Sequence, residues 1–466
     1  MEEPERIMQE TMEERRRQHR QGVQERLYWN SEASLILRPV PCVLFGNGHW
    51  RSDLVGPAVA DGKFKAHALI QWTSMVSRTT LRNITLLLGS TTTVLVAIIA
   101  PALPGMAEAF ASLPNADFWV RQTLTMPALF MAMGALFAGQ LLDRVGRRPV
   151  LIVSLILMGL SGTAGFFLNS LTAIMVSRAI LGIAVAGITS GFTTLILDSF
   201  KGDELNKFLG YQAAAVGFAS MLFLFAVGFL AELGWRPPFL IHLFPFIVLP
   251  GVIFFIDEPE RDAAGPATGV EKVPFPWRRL APVYVTTFTG MAIFFIFPVQ
   301  LPFYLSNEGP SQIGTALALQ TVSSVFVALL YQRIKARHSY FAIFGVVFLT
   351  LSLNHFIVSL STTFLVIIAG LIIGGIAPGL FPPNINGWLN SIAPAELRGR
   401  AVGLLTSSLL LGQFASPLIA QPFITKFELP TTFAIAGALA LGVALVFAAA
   451  AYRQKTDLAP AVKDGI

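Results

Sequence analysis

The sequence predicts an all-α membrane protein with twelve transmembrane helices, arranged as two six-helix pseudo-symmetric bundles. Three observations carry this: the charge content, a series of long apolar runs, and a recurrence of one half in the other. The 466-residue chain is 54% hydrophobic and only 13% charged, where a soluble globular domain carries about 25% charged residues. The charge is also unevenly spread, with 12 of the 33 Lys+Arg and 10 of the 27 Asp+Glu lying in residues 1–82. A soluble domain, a nucleic-acid binder and a disordered chain are excluded. The formal charge of +6 serves topology in short loops rather than a nucleic-acid footprint. With Cys42 as the single cysteine, no intrachain disulfide is possible.

Residues 1–82 are expected to form an N-terminal cytoplasmic segment, and no secretory signal is expected, since no early apolar stretch follows a basic start. Its charge run 5–27 (ERIMQETMEERRRQHRQGVQERL) suits a solvated helix, and 28–74 shows no period. Two readings compete with a regulatory domain: a partly disordered tail, or a gene-model extension upstream of Met75, which stands just before Arg78, Arg82 and the first span.

A bilayer core requires about 20 apolar residues per helical crossing. Runs of that length fall at 84–104, 122–142, 150–168, 172–196, 209–231 and 238–256, and again at 281–304, 312–332, 340–359, 362–382, 401–421 and 430–451. Strands of a β-barrel would be shorter and would alternate apolar with polar. Across the twelve runs Arg178 is the lone Asp, Glu, Lys or Arg. The charged, Pro/Gly-bearing break at 258–280 separates an N-terminal bundle, 83–257, from a C-terminal bundle, 281–452, leaving a tail at 453–466. With the N-terminus inside, the cytoplasmic loops and tail hold seventeen Lys and Arg, against Arg121, Arg236 and Lys426 opposite. That asymmetry places both termini in the cytoplasm of a plasma or inner-membrane protein.

The halves resemble one another at an offset of 193 residues: Gly182 maps to Gly375, Ala186 to Gly379, Asp203 to Glu396, Lys207 to Arg400 and Gly210 to Gly403. Parallel repeats about an axis along the membrane normal are a transporter signature, with substrate held between them near the midplane.

Between runs 2 and 3 the chain reads GQLLDRVGRRPVL, Gly139 to Leu151. Gly139 permits close helix approach and Gly146 a tight turn. Asp143 ends a span where it can face an Arg or the positive N-terminus of a helix in the other half. This stretch resembles the cytoplasmic loop motif of the major facilitator superfamily, G-x-L-x-D-r-x-G-r-[KR], and the likeness extends over about 83–452 in span number, six-plus-six division and topology. The resemblance implies alternating access, with Asp143, Arg144, Arg147 and Arg148 in a latch that holds the outward-facing state. Helix 11, beginning near Arg400, is the implied partner. The second-half counterpart keeps basic charge at 333–337 but has Ala336 where Asp143 maps, so the latch is expected to be asymmetric.

In run 4, Arg178, Gly182 and Ala186 share a helical face at four-residue spacing. They resemble the family's fourth-helix motif, R-x-x-x-G-x-x-x-A. An intramembrane arginine can contact substrate or tune a proton site. It can equally bond backbone carbonyls or snorkel outward. No run contains an acid; Asp198 and Glu232 at span ends are the nearest, and Asp198 is the candidate for coupling. His242 and His355 read as structural. Run 5 lacks the Gly-Pro of the family's antiporter motif, while run 11 carries Gly412 and Pro417, which predict a kink and close packing.

The cavity inventory is Thr92 within Ser90–Thr93, Tyr211, Gln212, Gln300, Tyr304, Gln320 and Asn384. Gln300, between Pro298 and Pro302, is favoured because a kinked helix exposes carbonyls beside its amide. An apolar cavity with a few amides suits a small amphipathic organic solute. The expected function is therefore secondary transport, with efflux of amphipathic compounds first and proton antiport as one coupling mode. The alternatives are uptake or facilitated diffusion of a metabolite, and a non-transporting sensor or scaffold of the same fold. No metal, cofactor or nucleic-acid partner is expected, and a monomer is the family default. HExxH, GxSxG and phosphate-loop motifs are absent, so an enzyme is not expected.

Overall fold

A computed structural model describes residues 78–258 and 274–463. The N-terminal segment through residue 77, and most of the loop expected at 258–280, lie outside the described residues. Those described are helical, with no strand among them.

Among the described residues, eleven helical stretches are long and apolar enough to cross a membrane: α1 (Arg78–Ala109), α2 (Ala116–Val145), α3 (Arg147–Phe167), α4 (Leu171–Ser199), α5 (Gly202–Glu232), α6 (Pro237–Phe255), α7 (Trp277–Tyr304), α8 (Pro310–Lys335), α9 (Tyr340–Leu360), α10 (Phe364–Ile392) and a final one, Ala395–Gln454. The last is two spans. Glu428 interrupts it with φ 66° and ψ 174°, which gives α11 (398–427) and α12 (429–463). Twelve crossings result, as the apolar runs predict.

Prolines explain the internal breaks. A proline cannot donate to the carbonyl four residues earlier, so the helix loosens just upstream. In α7 the break falls at Phe295, ahead of Pro298; in α10 it falls at Gly375, ahead of Pro378. α1 passes through a 3₁₀ segment, Thr92–Ala97, before Pro101 and Pro104. In α11 the backbone stays helical through Pro417 up to Glu428. Gly412 does supply the expected close approach, since a Cβ there would lie 2.4 Å from the Phe288 carbonyl oxygen.

The internal repeat reappears as packing. A Cβ on Gly182 would meet the Pro127 carbonyl oxygen at 2.3 Å, and one on Gly375 would meet the Gln320 carbonyl oxygen at 2.6 Å. Both members of this pair are displaced by the same 193 residues. Ala186 against Gly134 recurs as Gly379 against Val327, again at that offset, with the small and the large partner exchanged. The crossings α2/α4 and α8/α10 are therefore one contact made twice, at small residues that admit close backbones.

The loops at 143–148 and 333–337 mark what is here termed the basic face. The core is divided with respect to it. One apolar cluster runs through the first six helices and continues into the other half at Phe297, Leu301, Ile313 and Phe433, away from the basic face. The basic-face end of the second half has its own cluster around Phe344, Phe381 and Leu389. The halves are thus joined at the opposite face and separate toward the basic face.

Candidate functional site: a central cavity and its two faces

A cavity of about 460 Å³ lies between the halves, lined from α1 (Thr93, Ala97), α4 (Thr189), α5 (Ser220), α7 (Phe294, Pro298), α8 (Gln320, Thr321) and α11 (Gln413) among others. Its walls are apolar apart from hydroxyls and two amides, and no charged side chain lines it among the described residues. Much of the local hydrogen bonding is internal: Ser220 and Thr321 donate to carbonyls one turn back on their own helices. Thr189 Oγ1 and Gln320 Nε2 are buried and have no hydrogen-bond partner among the described residues.

Of the seven cavity residues expected from sequence, Gln320 is in the lining. The others lie outside this lining. Thr92 is buried and donates to the Gly89 carbonyl; the 3₁₀ turn of α1 presents its neighbour Thr93 instead. Tyr211 is 64% exposed on the splayed end of α5. Gln212 donates to Ser90 Oγ at 2.9 Å, tying α5 to α1. Tyr304 donates to the Ser361 carbonyl at 3.0 Å. Asn384 donates to the Tyr340 carbonyl at 3.0 Å, bracing α10 against α9. Gln300 is fully buried with neither amide atom bonded, outside the lining. Thr189, Ser220, Thr321 and Gln413 were missed because lone hydroxyls and amides in apolar helices carry no motif.

Arg178 does not reach the cavity. It is 0% exposed, donates to the Gly162 carbonyl at 2.6 Å and the Ser161 carbonyl at 3.3 Å, and lies over the Phe239 ring at 4.9 Å. His242 Nε2 is 3.5 Å away and also faces the Leu95 carbonyl in the unwound part of α1. This places the guanidinium as a buried tie among α1, α3, α4 and α6, the carbonyl-bonding reading of the sequence. Gly182 faces α2 as a packing glycine, as described above.

At the basic face the residues expected in the latch make contacts with other partners. Gly146 takes φ +111° and is the whole connection between α2 and α3. The Glu258 carboxylate accepts from the Arg147 and Arg148 backbone N–H groups at 2.6 and 2.8 Å, capping the N-terminus of α3, where an anion is favoured. Arg147 pairs with Asp198 at 2.9 Å, at the loop end of α4. The Arg148 guanidinium donates to the Ile253 carbonyl, and Arg78 pairs with Asp257 at 2.7 Å. None of these contacts reaches the second half. Asp143 and Arg144 are exposed, and Asp143 forms no hydrogen bond or ion pair among the described residues. Arg400, its expected partner region, instead lies over the Phe275 ring at 5.0 Å. Glu258 was not singled out from sequence, although an acid directly after a span on the loop's own side was the available signal.

Nor does Gly139 touch another helix: a Cβ there, as on Gly210 or Gly403, would meet nothing within 4 Å. The reason is the separation of the halves at this face. α2 and α11 meet at Ala128, Ala132 and Leu410; α5 and α8 meet at Gly228 against Gly314 and Gly217 against Val325. Both pairs run antiparallel. Continuing their registers about two turns toward the basic face sets Gly139 opposite Gly403 and Gly210 opposite Gln332, where the structure is open.

Comparison with known proteins agrees with this architecture. The Major Facilitator Superfamily family model matches residues 85–319 and 283–464. The quinolone resistance protein NorA of Staphylococcus aureus (strain Mu50) is 25% identical over 391 residues, covering 77% of this chain and 94% of that protein. A Staphylococcus aureus (strain COL) protein provisionally named a proline/betaine transporter is 26% identical over 363 residues, covering 69% and 76%. Among solved structures, a D-xylose–proton symporter superposes with TM-score 0.66 at 16% identity, over 80% of this chain and 97% of its own. The nucleoside transporter NupG gives 0.66 at 12%, over 79% and 98%.

Proposed function

Since the chain belongs to the major facilitator superfamily, a family of membrane transporters, we propose that it moves small, uncharged or weakly polar amphipathic solutes by alternating access, with export as the working direction. The observation that carries this reading is the cavity between the halves, lined by apolar side chains, hydroxyls and the amides of Gln320 and Gln413. A fixed charge on the solute would enter that site without a counter-charge, at a large desolvation cost. The NorA likeness supports export; direction is otherwise set by gradients.

The basic face is read as cytoplasmic from the distribution of Lys and Arg, which makes the described conformation inward-open. Transport then closes the Gly139/Gly403 and Gly210/Gln332 clefts while the opposite face parts. A proton carrier needs a titratable group in the path, and none lines the cavity among the described residues. This favours downhill movement of solute over proton antiport.

The test is counterflow in proteoliposomes loaded with an uncharged amphipathic compound, with internal pH recorded. The expected result is exchange of labelled solute, saturable and weakened by Gln320→Ala, without a matching pH change. Stoichiometric proton movement would overturn the downhill reading; absence of exchange for neutral compounds, with exchange of charged ones, would overturn the solute class.

A further inference from the structure

At the face opposite the loops, helix α8 begins without a cap of its own. Gly309 stands at its N-cap with φ +86° and no side-chain bond, and Pro310 occupies the first turn. The Ser311 backbone N–H is satisfied from the other half of the molecule: Glu232, the last residue of α5, accepts from it at 3.0 Å. The carboxylate stands close over Gly309, whose added Cβ would lie 3.4 Å from Glu232 Oε1. Directly beneath, α5 and α8 approach closely, and a Cβ on Gly314 would lie 2.8 Å from the Leu224 carbonyl oxygen. A second bridge crosses the same seam. The buried Arg121 of α2 lies 4.1 Å over the ring of Phe303 in α7, a desolvated cation–π contact.

We infer that Glu232 and Arg121 are positioning residues of the transport cycle: Glu232, as a helix cap supplied in trans, and Arg121, through Phe303, clasp the opposite face shut and hold the two halves in the state that opens at the basic face. An acid at a helix N-terminus is favoured by the unpaired N–H groups and the helix dipole. Here the two parts belong to different halves, so the bond must break whenever the halves rock. The Arg121 contact must break too, because no covalent or helical connection holds Phe303 to the first half. The two clasps sit on different helix pairs, α5/α8 and α2/α7, so their contributions should add. The inference rests on the rocking motion proposed above.

The test uses spin-label distances on the full chain in nanodiscs, in a Cys42→Ser background. One pair, at Leu233 and Leu360, spans the opposite face; another, at Lys207 and Gln332, spans the basic face. In Glu232→Ala the ratio of opposite-face-open to closed molecules should rise roughly twofold to fivefold, the range expected for an anion at a helix N-terminus. Glu232→Asp should restore part of it. Phe303→Leu should raise the ratio independently, and the double variant should multiply the two factors. Each gain at the opposite face must be matched by a shortened distance at the basic face. Unchanged distributions in both variants, or a lengthened opposite-face distance with no response at the basic face, would overturn the clasp. Should the parent chain show one fixed distance at both faces under every solute condition, the rocking motion itself fails. Phe303→Leu keeps an apolar side chain and Glu232 is exposed, so at least one variant remains folded.

Discussion

Arg178 illustrates how a residue's type can be readable while its role is not. A lone guanidinium in a membrane helix had to find partners, since an uncompensated charge at membrane depth is costly. Which partners it found depended on where α3 and α6 pack, and that is not written in the spacing of α4. One terminal nitrogen of its fork reaches two carbonyls of α3, the other stands 3.5 Å from His242 Nε2, and the planar group lies over Phe239, a combination an ammonium cannot reproduce. Arg178→Lys is therefore expected to lose about 1–3 kcal/mol of stability, read as a lower melting temperature in detergent. The relative rates for different solutes should stay as in the parent. Altered selectivity with unchanged stability would return Arg178 to the transport path. Asp198 belongs to the same lesson: Asp198→Asn removes the carboxylate of an ion pair at the α4 end and should disturb the loop's resistance to proteolysis before it changes any dependence of transport on pH.

Among the helices, the sequence was most legible where apolar length and glycine spacing alone decide the outcome. Twelve spans, a tight turn at Gly146 and the offset of 193 all follow from local chemistry, though the turn proves shorter than the two-to-five-residue loop expected. Legibility ended where a helix unwinds. Positions on a regular helix advance by about 100° per residue, but the 3₁₀ stretch of α1 breaks that rule and exchanges Thr92 for Thr93 in the cavity wall. Gln300 was favoured for its flanking prolines, yet the unwound point is Phe295, so the exposed backbone lies more than a turn away from its amide. Gly182→Val tests the packing reading, because its Cβ would fall on a backbone oxygen. A loss of about 1–3 kcal/mol is expected for such overpacking, with lower yield of folded protein. Gly403→Leu should be tolerated in folding, since the space beside it is empty in this state, and should slow transport by obstructing closure. Equal damage to folding by both substitutions would contradict the assignment of one glycine to permanent packing and the other to a moving seam.

For the whole molecule, the distribution of contacts defines the state. A continuous core joins the halves away from the basic face, while the basic ends of α2, α5, α8 and α11 stand apart. The sequence-level latch was legible as a motif, but a single sequence does not say in which conformation its members meet. In this one Asp143 is exposed and Arg147 is held by Asp198. Asp143→Asn is accordingly expected to leave the described state intact and to slow transport severely, by weakening the state in which the basic face is closed. Unchanged rates would remove Asp143 from the latch. Deleting residues 1–74 should leave transport intact if they are a tail or an extension; lost transport with normal insertion would make them regulatory or structural.

The most direct measurement is a disulfide trap across the seam, with Gly139→Cys and Gly403→Cys introduced together in a Cys42→Ser background. Little cross-linking is expected in the resting, basic-face-open protein, with rising cross-linking under mild oxidation as solute turns over, and arrested transport that reductant restores. Complete cross-linking at rest, or a cross-linked protein that still transports at the parent rate, would contradict a transport cycle built on closure of that cleft.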